Sequence, residues 1–160
     1  MANQITSKGA EPSFIDKIDI VSNKNQSKNV SVAGGTIRLM YYESILQDSI
    51  KATITFADTG NSIDNKTVIE GLPMVGQEKV FLKFRDNNEQ TLDLVLYINK
   101  VTPLADDTTK SMVQIDLASK EFIMNEKVRL NTRFDGRISD HIKKILTDQN
   151  YLGTEKNVDI

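Results

Sequence analysis

His141 is the only histidine in the chain, with Asp140 beside it and Asp135 six residues before. A base oriented by a carboxylate is one arrangement such a trio permits. A triad also needs a nucleophile on a sharp strand-to-helix turn, and no Gly-x-Ser-x-Gly supplies one. His141 borders an apolar stripe containing Ile138 and Ile142, so it reads as a structural or solvated residue. Oxygen-rich runs at Asp106-Asp107 and Asp86-Asn87-Asn88-Glu89 invite Ca²⁺. The second lacks both the glycine at loop position six and the distant bidentate Glu of an EF-hand, and both read better as hairpin turns. With no Cys and one His, zinc has no ligand set. Gly34-Gly35 and Gly71…Gly76 fit neither the Walker nor the Rossmann spacing. Glycoside hydrolysis needs two carboxylates facing across a cleft, and the spacing of the acids places no such pair. The sequence assigns no catalytic residue, no cofactor and no metal.

Binding chemistry has two candidates. Tyr41, Tyr42, Phe81 and Phe84 could stack on bases or sugars, but their alternating positions fit strand-face packing better. The second candidate is a basic stretch. Lys127, Arg129, Arg133, Arg137, Lys143 and Lys144 lie in one segment against Asp135 and Asp140, a net of +4. These six cations are the candidate subunit interface, where opposite charge on a neighbour would set register and encounter rate. The bland alternative is a solvated face around a helix.

The elements that must position these residues are mostly strands. From Phe14, the series Phe14, Asp16, Ile18, Ile20 marks a first strand, and Val30 and Val32 a short second one. Ile37, Leu39 and Tyr41 share the face of a third. Ile50, Ala52, Ile54 and Phe56 alternate with Lys51, Thr53 and Thr55. Val80, Leu82, Phe84 and then Leu92, Leu94, Leu96, Ile98 form a hairpin around the Asp86–Glu89 turn, and Val113, Ile115, Leu117 a last strand. Thr67 to Leu72 carries one weak helical turn. Near the end the period shifts from 2 to 3.6: Ile138, Ile142, Ile145 and Leu146 predict an amphipathic helix near residues 137–149, with Ile142 mid-stripe and buried on the sheet. The expected fold is mainly β, an antiparallel barrel or sandwich with this helix packed on it, residues 13–160 forming one domain after a polar arm at 1–12.

Composition narrows the classes. The chain has 160 residues, 39% hydrophobic and 26% charged, with a net charge of −2. That length can bury a core without staples. Nucleic acid as main partner needs a concentrated basic surface, which the balance does not suggest. No stretch approaches the roughly 18 apolar residues of a membrane helix, and the polar Met1–Pro12 is no signal peptide. Synthesis in the cytoplasm is expected, which leaves the Asn-x-Ser/Thr triplets at Asn25, Asn29 and Asn65 without meaning.

Three phrases carry a resemblance. They are Tyr42-Glu43-Ser44-Ile45…Asp48-Ser49…Ile54-Thr55-Phe56-Ala57-Asp58-Thr59-Gly60, Gly71-Leu72-Pro73-Met74-Val75-Gly76-Gln77-Glu78-Lys79-Val80, and Ser119-Lys120-Glu121…Asn125-Glu126…Phe134-Asp135-Gly136…Ile138-Ser139-Asp140. In this order, over residues 13 to 160, the chain resembles the opening barrel domain of the baseplate hub subunit of contractile-tailed, T4-like bacteriophages. The resemblance implies a non-enzymatic virion protein of the tail baseplate, joining the tail tube to the central spike, and a tube-type barrel. It also implies a trimeric hub with two barrels per subunit and sheet extension into neighbours. Hub subunits are longer than this chain, so the resemblance implies a fragment or a shortened relative, mainly monomeric alone. The alternative is a standalone small β-barrel that binds carbohydrate or peptide through Tyr41, Tyr42 and Tyr97.

Overall fold

A computed structural model describes residues 13–58, 60, 63–72, 75–106 and 110–160, without the side chain of Asp106. The polar arm at 1–12 and the Asp107 part of the Asp106-Asp107 turn lie outside the described residues. Seven strands form one antiparallel sheet: β1 (Phe14–Val21), β2 (Asn29–Ser31), β3 (Thr36–Tyr42), β4 (Lys51–Asp58), β5 (Lys79–Arg85), β6 (Thr91–Asp106) and β7 (Ser111–Ala118). Their order across the sheet is β2-β1-β5-β6-β7-β4-β3. Three helices accompany them: α1 (Val68–Gly71), α2 (Lys120–Lys127) and α3 (Ile138–Thr147).

The period-2 pattern decides the core. Ile18, Ile20, Ala52, Ile54, Phe56, Val80, Leu82, Leu96, Ile98, Val113, Ile115 and Leu117 all point to one side and are buried. One sheet buries one face against itself only by curling. Tyr41 of β3 meets Phe84 of β5 edge-to-face, ring centroids 5.7 Å apart, although three strands separate them in the sheet order. At one rim the two sheet edges are joined covalently, because β2 runs through a 3₁₀ turn at Ala33–Gly35 into β3. Five residue steps span at most about 17 Å, so the edges approach there. The turn sits so close to β4 that a Cβ on Gly35 would lie 2.6 Å from the Ala57 carbonyl oxygen. The expected mainly-β antiparallel architecture is observed as a half-barrel. Among the described residues no ladder joins β2 to β3, which stand at the two ends of the strand order.

Four bulges break the parity read from the sequence, the last of them at Leu104 in β6–β7. At Asp16 the β1–β5 register slips, so Ile15 packs on the core and Phe14 is exposed. At Ile37 the β3–β4 register slips, which turns Ile37 outward while Leu39 and Tyr41 stay inside. At Asn99 a slip in β6–β7 brings Val101 rather than Lys100 to the core. A bulge adds one residue to one strand, so side chains beyond it swap faces.

Two buried carboxylates fix the loops. Asp58 ends β4 and accepts the N–H groups of Gly60 and Val68, the latter opening α1. Glu78 precedes β5 and accepts the N–H groups of Val75 and Gly76. Both lie in the phrases singled out from the sequence, and both hold the turn that feeds or leaves a strand.

The helices depart from expectation in two ways. A second helix of eight residues, α2, forms over Lys120–Lys127 and buries only Ile123. α3 forms within the expected span but is not packed into the core: none of its residues is buried, and Ile142 is 42% and Ile138 76% exposed. The helical period showed where an apolar stripe lies, not what covers it.

Candidate assembly surfaces

β6 is the longest strand, and its pairing is split. Residues Thr91–Tyr97 pair with β5, whereas Tyr97–Asp106 pair with β7. The Ile98 N–H donates to the Glu78 carbonyl at 3.0 Å, so the backbone groups of Ile98 face β5. Alternation then turns those of Leu96 and Leu94 to β5 and those of Val95 and Asp93 to the opposite side. On that side β7 has already ended at Ala118, and the chain has turned into α2. An open groove of about 340 Å³ lies there, lined by Ile50, Val95, Tyr97, Ser119, Lys120 and Glu155 among others. The second open edge is the outer side of β3, where Ile37 and Tyr42 are exposed.

A polar clamp closes the far wall of the groove. Glu121 of α2 accepts the Thr154 hydroxyl at 2.6 Å and pairs with Lys156 at 3.3 Å, while Lys120 pairs with Glu155 at 3.0 Å. Burial pushes the Glu121 carboxyl up, but the Thr154 hydroxyl, a backbone N–H and the Lys156 ammonium together hold it below its ordinary value. Lys120 in turn draws the Glu155 carboxyl down. The chain after α3 is thereby tied back to α2.

The six candidate cations occupy α2, α3 and the segment between them, and all are exposed. Lys127 donates to the Gln77 side-chain oxygen and Arg133 pairs with Asp135 at 3.0 Å. Arg137 stands at the start of α3 and Lys143 and Lys144 follow within it. His141 packs against Phe134, ring centroids 5.1 Å apart, and its Nε2 is buried. Asp135 is turned to Arg133, so the trio read from the sequence is not assembled as a base and its orienter.

The remaining candidates are structural turns or separated. Asp86 Oδ1 accepts the N–H groups of Asn88 and Gln90, both at 2.8 Å, which closes the β5–β6 hairpin. Tyr41 lines a small cavity with Ile15, Leu39 and Phe84. Tyr97 lies across the sheet in the β6 groove, and Tyr42 is exposed on the other face of β3. The three tyrosines do not line one cavity, which removes the sugar site they would form.

The β3–β4 loop, residues 43–50, carries no site residue expected from the sequence. It carries the two most exposed aliphatic residues described, Ile45 at 101% and Leu46 at 91%. Tyr41 donates its hydroxyl to Glu43 at the loop's base, 2.7 Å. Burial and the Glu43 carboxylate push its pKa up to about 12. The available signal was two aliphatic residues inside a turn that polar residues normally fill.

No protein-family model matches the chain, and no curated protein does. Among solved structures the chain is similar to the E. coli c3393 protein, described as a component of the type VI secretion system with structural similarity to the T4 bacteriophage tail proteins gp27 and gp5. The TM-score is 0.46 at 13% identity, over 86% of this chain and 29% of that one, so this chain spans less than a third of that protein's length.

Proposed function

We propose that the chain is a structural, non-catalytic subunit of a phage tail baseplate, part of the hub that links the tail tube to the central spike. The single observation that carries the reading is the split pairing of β6. Its first half turns the backbone groups of Asp93 and Val95 to an open groove. Folded monomers normally cover, shorten or charge such an edge, because it pairs with any extended chain. A subunit that continues its sheet into a neighbour needs it open. The outer edge of β3 offers the complementary surface on the other side of the sheet. The three sequence phrases shared with the hub family support the same reading, and two of them contain the loop-fixing carboxylates Asp58 and Glu78. No described helix is long and apolar enough to cross a membrane.

In this reading the partners are tail tube, spike and other baseplate proteins, the site of action is the virion, and the hub is a trimer there. The isolated chain is mainly monomeric at micromolar concentration, since each interface must overcome the several-kcal/mol entropic cost of association. The test uses tail particles purified from producing cells. Antibody raised against the chain should decorate the baseplate end in electron micrographs, and the pure protein should turn over no peptidoglycan, glycoside or phosphoester. Tails that lack the chain, or turnover lost in His141→Ala, overturn the proposal.

A further inference from the structure

We infer that a second copy of this chain docks its β3–β4 loop onto the exposed face of α3, in a head-to-tail contact. The inference rests on the reading of the chain as an assembling subunit and names the partner of its basic surface. Two features meet the requirements of such a contact. The loop is a formed knob: the Ser44 carbonyl accepts the Gln47 N–H at 3.1 Å and the Ser44 hydroxyl accepts the Leu46 N–H at 3.2 Å. Ile45 and Leu46 therefore stand at the tip of a closed turn, almost wholly in water, with Glu43 and Asp48 on either flank. Aliphatic side chains fixed in that position cost solvation and contribute nothing to the core. The receiving surface is α3, whose Ile138 and Ile142 are exposed; the cations Arg137, Lys143 and Lys144 belong to the same helix and its start, one or two positions from them and so on its other faces.

Charge selects the occupant. The knob carries two carboxylates, and the Lys127–Lys144 segment carries a net of +4. A symmetric contact of knob with knob, or helix with helix, sets like charges opposite each other, whereas knob on helix pairs them. A contact between two different patches of one chain is heterologous. It propagates to rings or filaments instead of stopping at a dimer.

The experiment is sedimentation velocity of the full chain from about 10 µM to about 1 mM, at low and high salt. The expected wild-type result is monomer at the low end, species larger than a dimer at the high end, and weakening by salt. Leu46→Asp and Ile142→Asp change exposed positions, and circular dichroism checks that each keeps the fold. Each variant alone should lose association by at least about tenfold, and so should the double substitution Lys143→Glu with Lys144→Glu. An equimolar mixture of Leu46→Asp and Ile142→Asp retains one intact knob and one intact helix, and should form a heterodimer that grows no further. A wild type that stays monomeric at about 1 mM, variants that associate like wild type, or a mixture that stays monomeric each overturn the inference. The antibody labelling of tails reads the assembly role separately: decorated tails built from Leu46→Asp chains sink the knob contact and leave that role standing.

Discussion

Replacing Glu78 tests whether a buried carboxylate, and not apolar packing alone, sets the entry into β5. The side chain is 1% exposed, and it accepts the N–H groups of Val75 and Gly76, the latter at 2.9 Å. Hydrogen bonds to a charged acceptor contribute about 1.5–3 kcal/mol each, so the pair comes to roughly 3–6 kcal/mol. Burial of the charge opposes this by several kcal/mol, and in Glu78→Ala that cost disappears with the carboxylate. What remains is the loss at the two N–H groups. Val75 and Gly76 are exposed, so water satisfies them in part and the lower end of about 1 kcal/mol each applies. The void left by the side chain adds about 1 kcal/mol more. Glu78→Ala should thus cost about 3 kcal/mol, a large share of the 5–15 kcal/mol typical of a domain. Glu78→Gln keeps one oxygen for both donors but turns an amide towards the Gly76 nitrogen, now 3.2 Å from Oε2, and should cost about 1 kcal/mol. Urea unfolding with an unchanged m-value reads both. Amide exchange at Val75 and Gly76 should quicken in the Ala variant. An Ala variant within about 0.5 kcal/mol of wild type would refute the reasoning, as would a Gln variant as unstable as Ala.

Three further expectations follow from burial and charge. Ile142→Asp should melt within about two degrees of wild type, because the side chain is already 42% exposed. Leu82→Asp, at a position fully buried, should not fold, and a large loss for Ile142→Asp would mean that α3 is covered in the free chain. The Glu121 carboxyl is held below its ordinary value, so its contribution is present above the unfolded carboxylate pKa and is lost as pH falls through the lower folded value. Amide protection across residues 150–156, taken against the intrinsic exchange rate at each pH, should therefore fall between about pH 5 and about pH 3, and Glu121→Gln should remove that step; protection that does not change with pH would contradict the clamp. Tyr41, raised to about 12, should ionise above the usual phenol range in an ultraviolet titration. It adds stability below the usual phenol pKa that fades as pH climbs to the folded value, and Glu43→Gln should bring its ionisation down.

What could be read from the chain divides along the range of the interaction. Ile18 and Ile20, or Val113, Ile115 and Leu117, announce a buried strand face because the alternation is local to five residues. The Asp86–Glu89 turn is legible for the same reason. The bulges at Asp16, Ile37, Asn99 and Leu104 are not, since a bulge is a mismatch between two strands and neither strand records it alone. The division of β6 between β5 and β7 is equally hidden. Thr91 to Asp106 reads as one run, and only the ending of β7 at Ala118, more than ten residues away in sequence, leaves Asp93 and Val95 without a β7 partner. α2 escaped because a helix that buries one residue, Ile123, writes almost no stripe. α3 wrote a clear one, and there the pattern misled: an apolar face on a helix states that something covers it, and the sheet of the same chain is only one of the surfaces available. The exposure of Ile138 and Ile142 on a helix within a net-basic segment, and of Ile45 and Leu46 between two carboxylates, is one problem seen twice. Each patch is costly in water, and neither is covered by another part of the described chain.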